Sequence, residues 1–442
     1  LQQFSKKLLT YNNSSFKSTI IEIAQLLSSN TYNLSFINHN STSMPKLSNK
    51  GNAMPPSPIR KLAPFAEAAK KRGIKVFHLN IGQPDIETPE KFWTELKQMD
   101  MKVLSYSPSD GYPVYKEQFA KYYNSIGLSV SPENFMITNG GSEALLFTMM
   151  SIMDEGDEII IPEPMYANYI GFAQAGNIKV KPISTDIKNG FALPAIDSFE
   201  ALITPQTKAI LICNPNNPTG YLYSQSELET LRDLCIKHDL FLIADEVYRE
   251  FVYEGKKHFS ALQLSDMDQN VIVIDSISKR FSACGARIGA IVTRNRELLN
   301  VALKFGQARL SPPSLGQLAG AALFDLPTTY YENVVNEYSK RRNILVEKLN
   351  TIDGVVCPNP GGAFYCVAAL PVENADDFCQ WMLEKFSYNN ATVMMAPASG
   401  FYTSATNGKN QVRIAYVLNE IDLMQSIECL KEGLKAYQSS KN

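Results

Sequence analysis

The sequence predicts an α/β fold: a mixed, mainly parallel seven-stranded sheet flanked by helices, beside a smaller α+β domain. Three observations carry that expectation. Between residues 135 and 293, seven short β-rich runs alternate with helix-like stretches. The runs are apolar almost without interruption, as strands covered on both faces are. The chain has 442 residues, more than one hydrophobic core usually serves, so a second lobe is expected.

In chain order the strands are expected at FMIT (135–138), EIIIP (158–162), KVKPI (179–183), AILICNP (209–215), LFLIADEVY (240–248), VIVIDSIS (271–278) and ARIGAIVT (286–293). Helices over 142–153, 166–175, 224–238 and 295–307 fill the gaps, and a longer one spans 328–349 between Pro327 and Gly354. Only Lys279 to Gly285 separates the last two strands. A parallel crossover needs about a dozen residues or more, so these strands must run antiparallel or not be neighbours. Downstream, VVCPNPGGAFYCVAAL, VRIAYVL and amphipathic helices near 375–388 and 420–437 form the α+β segment. A large domain is therefore expected over 101–330 and a small one over 335–438, with 55–100 contributing to the latter. Residues 1–53, rich in Ser and Asn with Glu22 as their single acid, read as a weakly ordered extension.

Composition excludes several function classes. A net charge of −2 provides no electropositive footprint for nucleic acid. No apolar run approaches the roughly 20 residues of a membrane span. Seven cysteines without C-x-x-C spacing argue against a disulfide framework or a zinc site and favour a reducing, cytoplasmic setting. His39, His78, His238 and His258 are scattered and are expected on the surface or in loops, not as metal ligands.

Four motifs carry chemistry, and three of them directly follow an expected strand, where α/β proteins bind ligands. In SISKRFSACGARIG (276–289), Lys279 offers an amine for a carbonyl and Arg287 a guanidinium for a phosphate. In DEVY (245–248), the Asp245 carboxylate can hold a pyridine nitrogen protonated, and the Tyr248 hydroxyl can donate to a ring oxygen. Alternatively, Asp245 is only the cap of a following helix. In NPNNPTG (214–220), Asn217 offers an amide donor for that oxygen, unless the segment is merely a turn. In TNGGSEALL (138–146), backbone N–H groups at a helix start can take a phosphate, unless Ser142 is only a cap. No G-x-G-x-x-G occurs, which disfavours a dinucleotide site.

With N-P-T-G, D-E-x-Y and S-x-S-K followed by G-A-R-I-G in this order, the sequence resembles the class I/II aminotransferases from about Pro55 to Tyr437. These are fold-type I enzymes of pyridoxal 5′-phosphate, and the block SKRFSACGARIG is closest to bacterial aspartate aminotransferase-like members. The resemblance implies a Schiff base on Lys279, which would also shuttle the proton between substrate and cofactor. It implies Asp245 on the pyridine nitrogen, Tyr248 and Asn217 on the ring oxygen, and Gly141, Ser142, Ser276 and Arg287 on the phosphate. Tyr166 of PEPMYANY would stack on the cofactor ring. Tyr106 of LSYSPSDG would reach the phosphate of a neighbouring subunit in a homodimer. Arg413 of VRIAY would grip the substrate α-carboxylate, which the Gly82 backbone in NIGQPD would also contact, with Asn217 beside them. Taken alone, Tyr166 reads more readily as core than as a cofactor stack, and Arg413 equally as an ion pair or a ligand. Arg309, before Pro312-Pro313, is a candidate for a second substrate carboxylate, with a helix-terminal ion pair as the simpler reading. The expected activity moves an amino group from an L-amino acid, aspartate favoured, to a 2-oxo acid such as 2-oxoglutarate. A β-lyase, or an enzyme for aromatic or branched-chain amino acids, is the alternative.

Overall fold

The computed structural model describes residues 45–404 and 406–441. Most of the expected N-terminal extension, with His39, lies outside the described residues. Within its last stretch a short helix forms at Asn49–Ala53.

Twelve strands follow in chain order: β1 (Lys75–His78), β2 (Phe135–Thr138), β3 (Glu158–Glu163), β4 (Lys179–Ser184), β5 (Thr207–Cys213), β6 (Phe241–Asp245), β7 (Val271–Ser276), β8 (Gly289–Val292), β9 (Tyr365–Ala369), β10 (Ala391–Met394), β11 (Ala396–Pro397) and β12 (Gln411–Ala415). The seven expected strands are β2 to β8, and they form one sheet in the order β2-β8-β7-β6-β5-β3-β4. Pairing is parallel everywhere except at β8, which runs antiparallel to both β2 and β7. The short β7–β8 connection leaves no room for a crossover, so reversal is the geometry available.

Alternate side chains feed two cores on opposite faces of this sheet. Ile159, Ile161, Leu211, Ile243, Ile272 and Ile274 join one cluster. Ile160, Ile210, Ile212, Leu242, Val271 and Val273 join the other. Burial on both faces is why these strands lack a polar alternation.

Strand ends differ from the sequence expectation where polar side chains redirect the backbone. β6 stops at Asp245 rather than running to Tyr248. β7 stops at Ser276, whose hydroxyl accepts from the Ser278 N–H and starts the short helix Ile277–Arg280. β8 begins only at Gly289, because Arg287 has a left-handed backbone (φ 56°). The expected helices form at Gly140–Ile152, Asn168–Gly176, Gln225–His238, Arg296–Arg309 and Thr328–Leu349. Helices at Ala63–Lys71, Glu90–Gln98, Pro113–Ser125 and Ser314–Ala321 were not anticipated. The last is glycine-rich because Gly316 and Gly320 let it close on the Ala286 carbonyl and the Tyr115 ring.

The C-terminal part builds an antiparallel sheet, β11-β12-β9, and a parallel pair in which β1 joins β10. Residues 75–78 are thereby tied to residues 391–394.

Candidate active site

The C-terminal ends of β5, β6 and β7 open on a cavity of about 580 Å³. Gly82, Gly141, Ser142, Tyr166, Asn217, Asp245, Tyr248, Ser276, Lys279, Arg287 and Arg413 all line it. Of the residues the sequence singled out, Tyr106 lies elsewhere. It is 75% exposed and lines a second cavity with Arg309, Pro312 and Pro313.

Lys279 sits in the short helix after β7, and its Nζ donates to the Gly82 carbonyl at 2.6 Å. Gly82 cannot carry a side chain, because a Cβ would fall 1.6 Å from the Tyr365 hydroxyl. Asp245 is not a helix cap: a turn follows it, and its Oδ2 accepts from the Tyr169 hydroxyl at 2.7 Å. Its Oδ1 has only a long contact to the Val247 N–H at 3.4 Å. Burial raises the Asp245 carboxyl to about pH 6, against the Tyr169 hydrogen bond, which lowers it. A partner that donates a proton-bearing nitrogen would relieve that penalty.

Arg413, on β12, is fully enclosed, and burial lowers its pKa. Its Nη1 donates to Asn217 Oδ1 at 3.1 Å, Nη2 reaches the Asn80 carbonyl, and Nε has no hydrogen-bond partner. The guanidinium lies over the rings of Tyr365 (4.6 Å to the centroid) and Phe401 (5.0 Å). Having only donors, it fixes the Asn217 oxygen toward itself and turns the Asn217 amide nitrogen away. Among the described residues no carboxylate pairs with Arg413, so they give it no structural ion pair. Tyr248 is buried, with its hydroxyl 2.9 Å from that of Tyr365. Tyr166 accepts from Asn168 Nδ2 at 2.7 Å and meets Tyr169 edge to face. Burial pushes its phenol up to about 12.

Groups suited to an anion gather where β8 begins. Gly140 has φ 74°, and a Cβ there would meet the Arg287 guanidinium at 2.4 Å. Gly289 lies against the Gly140–Gly141 backbone just as closely. Arg287 Nη2 donates to the Asn139 carbonyl, at the start of the helix Gly140–Ile152. Ser142 lies inside the first turn of that helix, where no side-chain cap hydrogen bond forms, so capping is not its role. Cation, glycine turn and helix N-terminus therefore converge on one point. Ser276, besides capping, bonds the Ile288 carbonyl at 2.8 Å.

A model of the family "Aminotransferase class I and II" matches residues 74–428. The chain belongs to this family. Among its relatives, an aspartate aminotransferase of Geobacillus stearothermophilus is 29% identical over 402 residues, covering 88% of this chain and 99% of that one. Aromatic-amino-acid aminotransferase 2 of Thermococcus litoralis is also 29% identical, over 397 residues, with 88% and 98% covered. The solved structure of an aspartate aminotransferase from Thermus thermophilus with maleate superposes at a TM-score of 0.80, with 28% identity and 88% and 100% of the chains covered. The seven-stranded mixed sheet is thus the aminotransferase fold.

Several residues in or directly behind this aminotransferase cavity escaped the sequence reading. Tyr169 lies three residues after Tyr166, one helical turn on, and that spacing was its only signal. Tyr365 follows the Gly361-Gly362 pair and meets Gly82, Tyr248 and Arg413 only through the fold. Cys284 and Arg60 also line the cavity. Arg309 is engaged elsewhere: its Nε lies 3.3 Å from a Glu143 carboxylate oxygen, and Nη2 reaches the Ser109 and Ile137 carbonyls. His258, expected at the surface or in a loop, is in a loop, but its side chain is buried against the Asn214 carbonyl.

The Asp245 carboxyl makes stability depend on pH. Its folded value, about 6, exceeds the ordinary 3.8, so between roughly pH 4 and 6 the folded state holds a proton that the unfolded chain has lost. Stability of the cofactor-free protein therefore falls as pH rises through that window and stays lower above it. Asp245→Asn should raise cofactor-free stability at pH 8 by roughly 3 kcal/mol and flatten the pH dependence between 4 and 6. Urea unfolding of both proteins across pH checks this; an unaltered slope would mean Asp245 titrates normally.

Proposed function

We propose that the protein is a pyridoxal-5′-phosphate-dependent aminotransferase that moves an amino group from an L-amino acid, aspartate favoured, to 2-oxoglutarate. The observation that carries this is the meeting of Lys279, Asp245, Arg287 and Arg413 around one cavity. The residues fit the cofactor. Asp245 lacks a strong donor on one buried oxygen, and the Gly140–Arg287–Gly289 cradle suits a phosphate. When bound, the cofactor supplies an aldehyde for amines and a ring that accepts the electron pair left when a substrate Cα loses its proton. Lys279 would hold the aldehyde end of the cofactor, and its amine would serve as the base that takes the proton from the substrate Cα. Positioned acid–base transfer of this kind contributes about 10²–10⁴-fold. Asp245 keeps the ring nitrogen protonated. Tyr248 and the Asn217 amide would hold the ring oxygen, and Tyr166 would cover the ring face. Gly141, Ser142, Ser276 and Arg287 hold the phosphate. Arg413 and Gly82 orient the α-carboxylate, so that the Cα–H bond faces Lys279.

The same reading includes a large lobe around the seven-stranded sheet and a smaller lobe carrying Arg413. It also includes a homodimer in which Tyr106 serves the neighbouring site. An apolar surface at Val103, Leu104, Tyr106, Leu310 and Leu315 supports a second copy there. The cysteines, all free and all but Cys284 buried, support a reducing, cytoplasmic setting. Among the described residues no helix is long and apolar enough to cross a membrane.

The test is a half-reaction screen. Holoenzyme is mixed with single amino acids and its colour change followed without any acceptor. Rapid conversion by aspartate and glutamate is expected. Faster conversion by aromatic or branched-chain amino acids would replace the substrate assignment, and release of ammonia without an acceptor would indicate a lyase.

A further inference from the structure

We infer that Arg60 is the cation that selects dicarboxylate substrates, by receiving the carboxylate farther from the reacting carbon. The inference rests on the amino-transfer reading of the cavity and names the substrate contact that reading leaves open. Four cationic side chains line the cavity: Arg60, Lys279, Arg287 and Arg413. Asp245 is the one carboxylate among the lining residues. Lys279 bonds the Gly82 carbonyl, Arg287 bonds the Asn139 and Cys284 carbonyls in the anion cradle, and Arg413 bonds Asn217 and Asn80. Arg60 alone makes no side-chain hydrogen bond or ion pair among the described residues, and it is exposed at the mouth.

Its backbone, by contrast, is held: the Arg60 N–H donates to the Ser57 carbonyl at 3.2 Å, and the Arg60 carbonyl accepts from the Ala63 N–H at 3.0 Å. The Ile59 carbonyl accepts from Asn80 Nδ2 at 2.9 Å. Lys61 pairs with Asp376 at 2.8 Å. Pro58 lies so close to Gly400 that a Cβ on that glycine would approach it to 2.2 Å. Asn80 is the link that matters, because its own carbonyl accepts from Arg413. One residue therefore fixes the strap that carries Arg60 and the guanidinium that takes the α-carboxylate. A held backbone beneath a guanidinium that makes no hydrogen bond or ion pair among the described residues lowers the ordering cost of receiving a carboxylate. Arg309, the sequence candidate for this task, is already held by Glu143 and two backbone carbonyls.

The experiment measures dissociation constants of succinate and propionate on the holoenzyme, from their perturbation of the cofactor absorbance. Wild type should bind the dicarboxylate more tightly. In Arg60→Met the propionate-to-succinate ratio of constants should fall about 10- to 100-fold, the loss expected for one charge-assisted contact. Arg60→Lys should retain part of the preference, and raised salt should erode it in wild type. An unchanged ratio in Arg60→Met, or equal weakening of both acids, overturns the assignment. Arg60→Gln, with the unfolding midpoint measured beside it, separates this from a folding defect. If wild type discriminates the two acids through Arg60 but no amino acid converts it, the amino-transfer reading fails while the carboxylate site stands.

Discussion

Lys279→Ala is expected to lower turnover by about 10⁴-fold or more, because in the proposed reaction it removes both the amine that would anchor the cofactor and the base that would move the Cα proton. The two losses have separate readouts. Borohydride reduction of wild-type holoenzyme should leave a labelled peptide at position 279, and the variant should leave none. Added small primary amines should restore part of the proton transfer in the variant, since they can occupy the space Lys279 vacates. The fold should survive, because Lys279 Nζ makes one close hydrogen bond, to the Gly82 carbonyl. A variant that retains full turnover would remove Lys279 from the chemistry altogether.

Arg280→Met is expected to destabilise the protein by about 3–5 kcal/mol, the usual cost of stripping one partner from a buried charge pair. Arg280 follows Lys279 in sequence but faces the opposite way, into a sealed polar cluster. Its Nη2 reaches both Asp275 oxygens, at 3.0 and 2.9 Å, and its Nε donates to Glu250 at 2.7 Å. Tyr123 donates to Asp275 at 2.7 Å, and Arg249 lies 3.3 Å from it. Burial pushes the Asp275 carboxyl up, yet Arg280 and Arg249 outweigh burial and hold it below the ordinary carboxylate range. Without Arg280, that carboxylate stays buried with too little compensation. The double variant Asp275→Leu/Arg280→Met should recover much of the loss, since apolar replacement of a buried pair is often neutral. Urea midpoints of the two variants check both statements; a single variant as stable as wild type would show that Arg249 and Tyr123 suffice.

Local signals made much of the large sheet legible. Its strands are continuous apolar runs between turn residues, and the Lys279–Gly285 spacing alone restricts how β7 and β8 can pair. The helices Glu90–Gln98 and Pro113–Ser125 were missed because neighbours outside their own segments decide how they pack. Tyr115 and Phe119, for example, pack against Phe324, more than two hundred residues away. The strand ends were misjudged for a related reason. Ser276 closes its strand with a hydrogen bond from the Ser278 N–H, and β6 gives way to a turn after Asp245, neither of which apolar patterning registers.

By itself, the sequence determined the sheet, the order of the chemical motifs and the family they belong to, because these are written in local periodicity and short spacing. Tertiary structure alone decided which charges are free to act. For Arg309 the sequence left open a substrate contact beside the simpler ion pair, and the structure places it against Glu143, whereas Arg60 stood outside every motif and lines the cavity. The physical reason is that a charge acquires its role from what lies within a few ångströms of it. For Arg413, those neighbours are Asn80, Asn217 and Tyr365, brought together from three distant parts of the chain.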